Sequence, residues 1–511
     1  MSGSLATVAT LTLPAAVLAS QCAANINRDR PIITDGVQVG VGIGSSFIIW
    51  ARCDRLASMV VEWSTSPSFE ESRAKVGGTA TPAGDFTAKT ILEKLPPDTH
   101  IFYRVSFESL NALRAQSAPV LGAFKTPPVK KSDVTLVWSG DTAGQGFGIN
   151  PDIGGMRLYR VMQSHQPDLF VHSGDLIYAD HPIEKEIKLP DGRTWRNVTT
   201  DAKSKVAETL QEFRGNYRYN LLDENVRDFN ASVAQVVQWD DHETVNNWDP
   251  SKIIDDSRYR EKRCSVLSAR ARQALFEYTP IVGTAGESRR IYTRLSYGPS
   301  LDLFKLDARS YRGPNSPNDH TCESEKTAYF GPAQIAWLKS ELLQSKATWK
   351  LILHDMPLGL IVKDGAKDFE NCAQGDGAPL GRELEIAGLL RFMQKNSISN
   401  VVWLTADVHY AAAHYYDPAH AEFSEFDPFW EFVAGPLNSG TFGPNGLDNT
   451  FGPQVKFQSV KTDQVQGESP LGGKQYFGKI HVDKTSEALR VSLHNLLNEE
   501  IYAVELNPKV S

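Results

Sequence analysis

Between Pro31 and about Thr126, apolar and polar residues alternate along the chain with a period of two. The alternating runs are VQVGVGIG, SFIIWARC, MVVEWSTS, FTAKTIL and HIFYRVSFE, and Gly, Pro, Ser and Asp residues separate them. Short runs of this kind are typical of antiparallel strands that bury one face of a sheet. The pattern predicts an all-β sandwich over residues 25–127.

The end of this segment carries a second signal. The stretch LEKLPPDTHIFYRV resembles the corner strand of fibronectin-type and immunoglobulin-like sandwiches, with Tyr103 as the corner tyrosine. The sequence TPPVKK follows at 126–131. Because its prolines favour an extended backbone and its lysines stay solvated, we interpret it as a linker and place a domain boundary near Thr126.

After the linker, apolar β-branched runs alternate with amphipathic, helix-like stretches. VTLVWSGD precedes MRLYRVMQSH, for example, and WKLILHDMP precedes ELEIAGLLRFMQKN. Strands separated by amphipathic helices indicate a layered α/β core whose central strands are buried. We expect a large α/β domain with αββα layers over residues 128–511, ending in a meander from Tyr476 to Leu506.

The N-terminus predicts export. Residues 5–20 (LATVATLTLPAAVLAS) form an uncharged run of small residues that is too short and too weakly apolar for a membrane span. We interpret residues 1–24 as a signal peptide, truncated because the usual basic segment is missing; an irregular tail is the alternative. The expected location is the periplasm or the extracellular space. No later segment has the length and apolarity of a transmembrane helix.

Composition narrows the class of protein only slightly. Of the 511 residues, 41% are hydrophobic and 22% are charged, and the formal net charge is −8. These fractions are ordinary for a globular protein and exclude a disordered or collagen-like chain. A nucleic-acid-binding surface is not evident, because such a surface needs clustered Lys and Arg. An acidic enzyme can still bind phosphate where metal cations supply the local positive charge.

The cysteines exclude some metal and redox motifs. None of Cys22, Cys53, Cys264, Cys322 and Cys372 lies in a CxxC pair, which excludes zinc-ribbon and thioredoxin-like sites. Loss of Cys22 with a signal peptide would leave an even number, which permits disulfides in an oxidising compartment. Cys322 and Cys372 are the preferred pair, since both lie in polar stretches rich in Gly and Pro. Reduced, unrelated cysteines are the alternative.

Side chains able to bind metals follow five separate apolar strands of the predicted α/β domain. In open α/β sheets, functional sites gather outside the carboxyl ends of the strands. A single aspartate there is common as a turn former, but clustered carboxylates repel one another unless cations compensate their charge. The pattern therefore predicts a metal site. Its candidate residues are Asp141, Asp175, Asp240, Asp241, His242, His354, Asp355, Asp407 and His409.

The motifs around these residues indicate a family. In chain order they are GDTAGQGFGINPDIGG (140–155), HSGDLIYAD (172–180), WDDHETVNNW (239–248), DMP (355–357), LTADVHYAAAHYYDP (404–418) and AGPLNSGTFGPN (434–445). Together with the preceding sandwich, they resemble the PhoD-type alkaline phosphatase/phosphodiesterase family. That family lies within the calcineurin-like metallophosphatases, which are related to the purple acid phosphatases. The resemblance covers nearly the whole mature chain.

The resemblance implies a first metal position. Asp141 would take the first ligand position, where some relatives have a cysteine instead. Asp175 would bridge both metals through its two oxygens, and His409 would complete the first one. Tyr178 stands where purple acid phosphatases bind Fe(III) through a phenolate, so the implied ion is Fe³⁺. A packed aromatic ring beside the site is the alternative for Tyr178.

The resemblance also implies a second metal position, which Asp241 and Asp407 would bind. Asp240 could exchange roles with Asp241, and the sequence does not separate them. Asp355 would line the site, while His354 is left open between ligand and bystander. Because carboxylates rather than imidazoles surround this position, we expect a hard ion there, with Ca²⁺ favoured over Zn²⁺.

The proton donor predicted for this site is His242. A histidine titrates near neutrality, and this one directly follows two candidate ligands, so it is placed to protonate a leaving alkoxide or to steady phosphoryl charge. Arg309 could reach a phosphate, although an arginine that pairs with loop carboxylates is equally expected. Asn247 could support or join the second metal. Asn438 could approach substrate or act only in its turn.

The predicted function is hydrolysis of small phosphate esters at two metals, with a bridging water that becomes hydroxide and attacks phosphorus in line. One alternative keeps the site but takes phosphodiesters, as in a phospholipase D-like phosphodiesterase. Another alternative is a non-catalytic cell-surface binding protein. Intact DDHE and ADVH motifs disfavour the second alternative, because a degenerate scaffold would lose His242 without losing its fold.

Overall fold

The structure, a computed structural model, describes residues 29–283, 287 and 289–509. The predicted signal peptide at residues 1–24 lies outside the described residues. Among the described helices, none combines the length and apolarity that crossing a bilayer requires.

Strands make up most of the regular structure and run through the whole described chain. In order they are β1 (Ile33–Val41), β2 (Phe47–Cys53), β3 (Ala57–Ser64), β4 (Arg73–Ala80), β5 (Thr87–Leu92), β6 (His100–Ser109), β7 (Val120–Lys125), β8 (Val134–Ser139), β9 (Leu169–Ser173), β10 (Glu186–Lys188), β11 (Thr194–Arg196), β12 (Ala234–Gln238), β13 (Thr293–Ser296), β14 (Leu301–Lys305), β15 (Trp349–Leu353), β16 (Lys363–Asp364), β17 (Asp368–Phe369), β18 (Val401–Thr405), β19 (Ala412–Tyr416), β20 (Phe429–Val433), β21 (Pro453–Gln458), β22 (Tyr476–Val482), β23 (Leu489–Asn495) and β24 (Glu500–Leu506).

Helices of seven or more residues occur only after β8 within the described chain. They are α1 (Leu158–Ser164), α2 (Leu210–Asn220), α3 (Glu224–Ser232), α4 (Cys264–Tyr278), α5 (Pro332–Gln344) and α6 (Glu383–Lys395). Side chains fix where two of them begin. Thr209 and Glu212 form a capping box at the start of α2, and Asp223 caps α3 through the amides of the next residues.

Two large sheets form the centre of the molecule. The nine-stranded sheet has the order β24-β23-β22-β8-β9-β12-β1-β2-β5, and the seven-stranded sheet has the order β13-β14-β15-β18-β20-β19-β21. In the first sheet, β8, β9 and β12 are parallel; in the second, β14, β15, β18 and β20 are parallel. Each parallel block therefore sends its carboxyl ends to one edge.

The two sheets face each other across one apolar core. Leu136 and Val171 of the first sheet share this core with Leu351 and Leu404 of the second. The indole of Trp138 spans the interface and donates to the Thr405 carbonyl oxygen at 3.3 Å. Helices α1 to α4 cover the outer face of the first sheet, and α5 and α6 cover that of the second. The expected αββα layering follows from this packing.

The N-terminal region is strand-rich and is followed by the larger mixed α/β region, which confirms the predicted order. Strands β4, β3, β6 and β7 form a four-stranded sheet, while β1, β2 and β5 join the nine-stranded sheet. The link is a parallel pairing of β1 with β12. The chain leaves the four-stranded sheet after Lys125 and enters the nine-stranded sheet at Val134. The proposed boundary near Thr126 stays a prediction.

Two local predictions are wrong. The Tyr103 hydroxyl donates to the Ala231 carbonyl oxygen at 3.0 Å, so it ties β6 to α3 instead of closing a corner within its own sheet. Cys322 and Cys372 do not form a disulfide; both are free, as are Cys53 and Cys264. Cys372 is buried and its thiol faces the Leu358 carbonyl, whereas Cys322 is exposed on a loop.

Candidate metal centre

The predicted metal-binding residues lie where the parallel strands end, on backbone that is strained. Asp141 follows β8 and Asp175 follows β9, and both have positive φ angles (66° and 52°). Asp407 and His409, which follow β18, are also in this left-handed region (66° and 59°). Non-glycine residues persist there only where the surroundings fix them, and such residues cluster at functional sites. Hydrogen bonds between the loop after β8 and the loop after β9 fix this backbone; the Asp141 amide, for example, donates to the Gly174 carbonyl oxygen.

Two glycines allow the loops to approach one another this closely. A Cβ atom at Gly140 would lie 2.9 Å from the Cβ of Ala406 and 3.2 Å from the Gly174 carbonyl oxygen. A Cβ atom at Gly435 would collide with the Asp141 carboxylate. These glycines of the GDTAG and AGPLN motifs therefore leave room for the carboxylates.

Asp141, Asp175 and His409 form the first group of ligand atoms, all within 4.8 Å of one another and all buried. His409 donates through Nδ1 to the Gly440 carbonyl oxygen, which leaves Nε2 directed at Asp141 Oδ1, 3.5 Å away. Burial lowers the pKa of His409 to about 3, so its imidazole is neutral, as a metal ligand must be. The buried Tyr178 hydroxyl lies 2.9 Å from the same Nε2 atom.

Asp240, Asp241 and Asp407 form a second group with the same spacing, and Asp175, Asp241 and His242 form a third. Asp175 is thus shared between the first group and the group around Asp241. Asp407 is partly exposed, whereas the other carboxylates of these groups are buried.

The electrostatics of these groups fit bound cations. Burial, reinforced by the carboxylate of Asp241, raises the pKa of Asp141, Asp175 and Asp407 well above the usual carboxyl value. Among the described residues, Asp141 Oδ2 and Asp241 Oδ1 are buried and have no hydrogen-bond partner. A cation between the groups would compensate the charges and give these oxygens a partner. The residues present therefore fit two metal ions.

His242 lies beside Asp175 of the first group and Asp241 of the second group, and Asp180 orients it. It donates through Nδ1 to both carboxylate oxygens of Asp180 (2.8 and 2.9 Å), its Nε2 lies 4.0 Å from Asp241 Oδ1, and its ring stacks on Tyr178 at 4.2 Å. Burial alone would lower the pKa of His242, but Asp180, Asp241 and Asp175 raise it well above 6.5. His242 thus has a fixed orientation, and the surrounding carboxylates favour its protonated form.

Asp180 is the last residue of the HSGDLIYAD motif, but it was not among the site residues predicted from the sequence. Its carboxylate also accepts from the Asn246 amide at 2.8 Å. Burial alone would raise the pKa of Asp180, but the charge of His242 and the hydrogen bonds from His242 and the Asn246 amide lower it below the usual range. The signal that could have found it is a carboxylate just after GDxxY, at the loop that meets DDHE.

Arg309 does not face open space where a phosphate would enter. It is fully buried and pairs with three carboxylates: Asp240 through Nε at 2.7 Å, Glu370 through Nη2 at 2.7 Å and Asp355 through Nε at 3.3 Å. Its contacts are those of an internal counter-ion that holds loops from separate strands together. Sequence reasoning missed Glu370, which lies just after the two-residue strand β17.

Glu243 is a second residue that sequence reasoning missed. It is fully buried, and its two carboxylate oxygens accept from the amides of Leu176 (2.6 Å) and Asp240 (2.8 Å). It therefore clamps the loop after β9 to the loop after β12. The glutamate of DDHE was the available signal.

His354 and Asp355 are not part of any ligand group among the described residues. The His354 ring is fully buried between Tyr329, Phe330 and Trp403. Burial lowers its pKa despite the neighbouring Asp355. These contacts are those of a core histidine. Asp355 instead pairs with Arg309, which also contacts Asp240.

The two asparagines contact the loops that carry the ligand groups. The backbone amide of Asn247 donates to Asp241 Oδ2 at 2.6 Å, and the side chain of Asn247 donates to Asp364 at 3.1 Å. The Asn438 side chain donates to the Phe147 carbonyl oxygen at 2.8 Å, and its backbone amide donates to the Asp141 carbonyl oxygen. Asn438 thus holds the loop after β8 in place.

A layered αββα fold with two adjoining groups of buried carboxylates, next to an aspartate-oriented histidine, defines the class of metal-dependent phosphoesterases. The family model for PhoD-like phosphatases matches residues 136–493, and the model for the N-terminal domain of these phosphatases matches residues 18–128. The chain therefore belongs to the PhoD-like phosphatase family and is a phosphoric ester hydrolase.

Individual relatives agree with this assignment. Alkaline phosphatase D of Bacillus subtilis (strain 168) is 26% identical over 488 residues, which cover 90% of this chain and 76% of that protein. A solved structure of PhoD aligns with a TM-score of 0.68 at 20% identity, over 94% of this chain and 92% of the other. A purple acid phosphatase from yellow lupin (Lupinus luteus) seeds aligns with a TM-score of 0.57 at 13% identity, over 94% and 74%. The two structures show the same fold.

Proposed function

We propose that this phosphoesterase is exported and holds Fe³⁺ in the group of Asp141, Asp175 and His409, with Tyr178 as a further ligand. The observation that carries the iron assignment is the 2.9 Å distance between the Tyr178 hydroxyl and the His409 Nε2 atom. A phenolate is a hard, anionic oxygen donor that suits a trivalent ion. The second ion is Ca²⁺, because Asp241 and Asp407 offer only carboxylate oxygens there.

Two cations held by these residues would supply an activated water molecule and compensate the charge of the phosphoryl oxygens. Asp175 would contribute to holding both ions, since it forms one ligand group with Asp141 and His409 and another with Asp241 and His242. Asp241, fixed by the Asn247 amide, is the ligand of the second ion, whereas Asp240 is engaged by Arg309.

His242 is the proton donor to the leaving alcohol. Its Nδ1–H is held by Asp180, so Nε2 is directed at the side of the site where Asp241 lies. The carboxylates of Asp180, Asp241 and Asp175 raise the pKa of His242 and so favour the protonated imidazole. Donation then leaves the alcohol neutral, and the imidazole keeps its Nδ1 proton on Asp180.

The substrates are small phosphate esters, monoesters and diesters included. A phospholipase D-like activity on diesters uses the same residues, so turnover of an aryl phosphate and of a bis(aryl) phosphate by one preparation decides the preference. The non-catalytic binding protein considered from the sequence is not proposed, because the chain belongs to a family of phosphatases.

The iron assignment is tested with Tyr178→Phe. We expect the wild-type protein to contain iron and to show a broad visible absorption from a tyrosinate bound to Fe(III). Tyr178→Phe should lose this band and keep its fold, because the ring still stacks on His242. Persistence of the band in the variant, or a wild-type protein that holds only zinc, would remove Tyr178 and Fe³⁺ from the first position.

A further inference from the structure

A fourth group of metal-binding atoms lies beside the proton donor. One ligand atom each from Asp180, His181 and His242 lies within 4.8 Å of the other two. Asp180 Oδ1 is 2.8 Å from His242 Nδ1 and 3.6 Å from His181 Nδ1, and the two imidazole rings are 5.0 Å apart. This group shares His242 with the proposed mechanism but has none of its metal-bridging carboxylates.

His181 has no part in the mechanism above, yet it is placed to bind something. Its Nδ1 atom is buried and has no hydrogen-bond partner among the described residues, while 34% of the side chain is exposed. Burial lowers the pKa of His181 despite the nearby Asp180, so the imidazole is neutral and its lone pair is free for a metal ion. A cation from solution can therefore reach this residue.

The donor set and its spacing suit a transition metal rather than calcium. Two imidazole nitrogens and one carboxylate oxygen favour zinc and similar ions, whereas Ca²⁺ requires six to eight oxygen ligands. In tetrahedral zinc sites with bonds of about 2.0–2.2 Å, ligand atoms lie roughly 3.4 Å apart. The separations of 2.8 and 3.6 Å from Asp180 bracket that value.

We propose that Asp180, His181 and His242 form a third metal site, which takes Zn²⁺ or a similar divalent transition metal and inhibits the enzyme. The inhibitory effect rests on the proposed role of His242. The ion would displace the Nδ1 proton of His242 to solvent and take its place on Asp180. With Nδ1 bound to metal, the hydrogen bonds to Asp180 that orient the ring are lost, so Nε2 is no longer positioned to donate to the leaving alcohol.

The first test measures zinc binding itself. Enzyme that carries its catalytic metals is dialysed against micromolar Zn²⁺, and bound zinc per chain is counted for the wild type, His181→Ala and His320→Ala. His320 is a matched control, because its Nδ1 lies 3.7 Å from Asp319 Oδ1 and no second histidine joins them in a ligand group. We expect one zinc ion that is lost, or bound at least about 10-fold more weakly, only in His181→Ala.

The second test measures inhibition under the same conditions. His181→Ala should keep the turnover seen without zinc and require at least about 10-fold more Zn²⁺ for half inhibition, while His320→Ala should match the wild type. Equal zinc binding in His181→Ala and the wild type would overturn the site. Zinc binding that depends on His181 without inhibition would keep the site but overturn the role of His242. His181→Gln serves as the second variant if the alanine variant melts at a lower temperature.

Discussion

At the scale of single residues, the feature that decides the chemistry is the pairing of His242 with Asp180. One nitrogen of the imidazole is held at 2.8 Å by a buried carboxylate, so the ring has a defined orientation, and the nearby carboxylates raise its pKa. The neighbouring Asp241 lies 4.0 Å from the other nitrogen. This arrangement separates proton donation by His242 from metal binding by the carboxylates.

This separation predicts how His242→Ala behaves. Turnover should fall about 100-fold or more while metal content stays nearly full, because a proton donor and not a ligand is removed. The loss should be smallest for esters with acidic leaving groups such as nitrophenol, which need little protonation. Steady-state kinetics on a series of leaving groups, beside a metal assay, measures both effects.

Two outcomes would contradict the acid role of His242. An equal loss for good and poor leaving groups would favour a residue that only orients the phosphate. Full activity in His242→Ala would remove the residue from the mechanism. His320→Ala, which removes a histidine of the surface loop, is the control for unspecific effects of the substitution.

The sequence could predict the residues at the strand ends but not their partners. Asp141 and Asp175 follow apolar runs that form neighbouring parallel strands, so their meeting at one sheet edge is implied by the strand–helix alternation. His409 follows a strand of the other large sheet, and alternation does not show that the two sheets face each other. Glu370 pairs with Arg309 from a distant loop, and no local pattern indicates this. His354 was left open because the sequence next to Asp355 does not tell whether the ring faces the site or the aromatic core.

At the scale of elements, the helices predicted from the strongest apolar periodicities are confirmed. MRLYRVMQSH contains α1, and ELEIAGLLRFMQKN contains α6, whose buried residues recur at helical spacing. The short hairpin of β16 and β17 was not predicted, since strands of two residues carry no alternation. It nevertheless positions Asp364, which accepts from the side chain of Asn247 near the second metal group.

The first residue of α6 gives a prediction about pH. Burial, with the Asp448 carboxylate beside it, raises the pKa of Glu383 to about 9. An unfolded glutamate has a pKa of about 4.3, so between these values the native state holds a proton that the unfolded chain releases. The stability that this group contributes is therefore complete below about pH 4 and is lost as the pH rises towards 9.

Glu383→Gln should remove this dependence, because the amide stays neutral and keeps an oxygen for the Leu380 amide. We expect the variant to gain in free energy of unfolding relative to the wild type as the pH rises from 5 to 9. Denaturant titrations at several pH values measure this, with Glu323→Gln on the surface as control. Parallel pH profiles for Glu383→Gln and the wild type would show that Glu383 is ionised in the native state.

At the scale of the whole molecule, the N-terminal region and the α/β region share a sheet. The alternating runs predicted antiparallel strands, and β1, β2 and β5 are indeed antiparallel neighbours. The parallel pairing of β1 with β12 was not predictable, because alternation shows which face a strand buries but not which distant strand it joins. Tyr103, bonded to Ala231, adds a second link between the regions.

This architecture brings the carboxyl ends of both parallel blocks together, so that carboxylates from two sheets surround one space. The proposed reaction requires two metal ions in that space. Asp175 would contribute to holding both, since it belongs to one ligand group with Asp141 and to another with Asp241. Removing the Asp175 carboxylate should therefore affect the binding of both ions at once, whereas removing a carboxylate on the surface, far from the ligand groups, should affect neither.

The most direct test is the metal content of Asp175→Asn, measured per chain together with turnover of an aryl phosphate. We predict two ions per chain and full turnover in the wild type and in the surface control Asp319→Asn. Asp175→Asn should hold fewer than one ion per chain and show no measurable turnover, while its circular dichroism stays that of a folded protein. An Asp175→Asn protein that keeps both ions and wild-type turnover would contradict the shared two-metal centre.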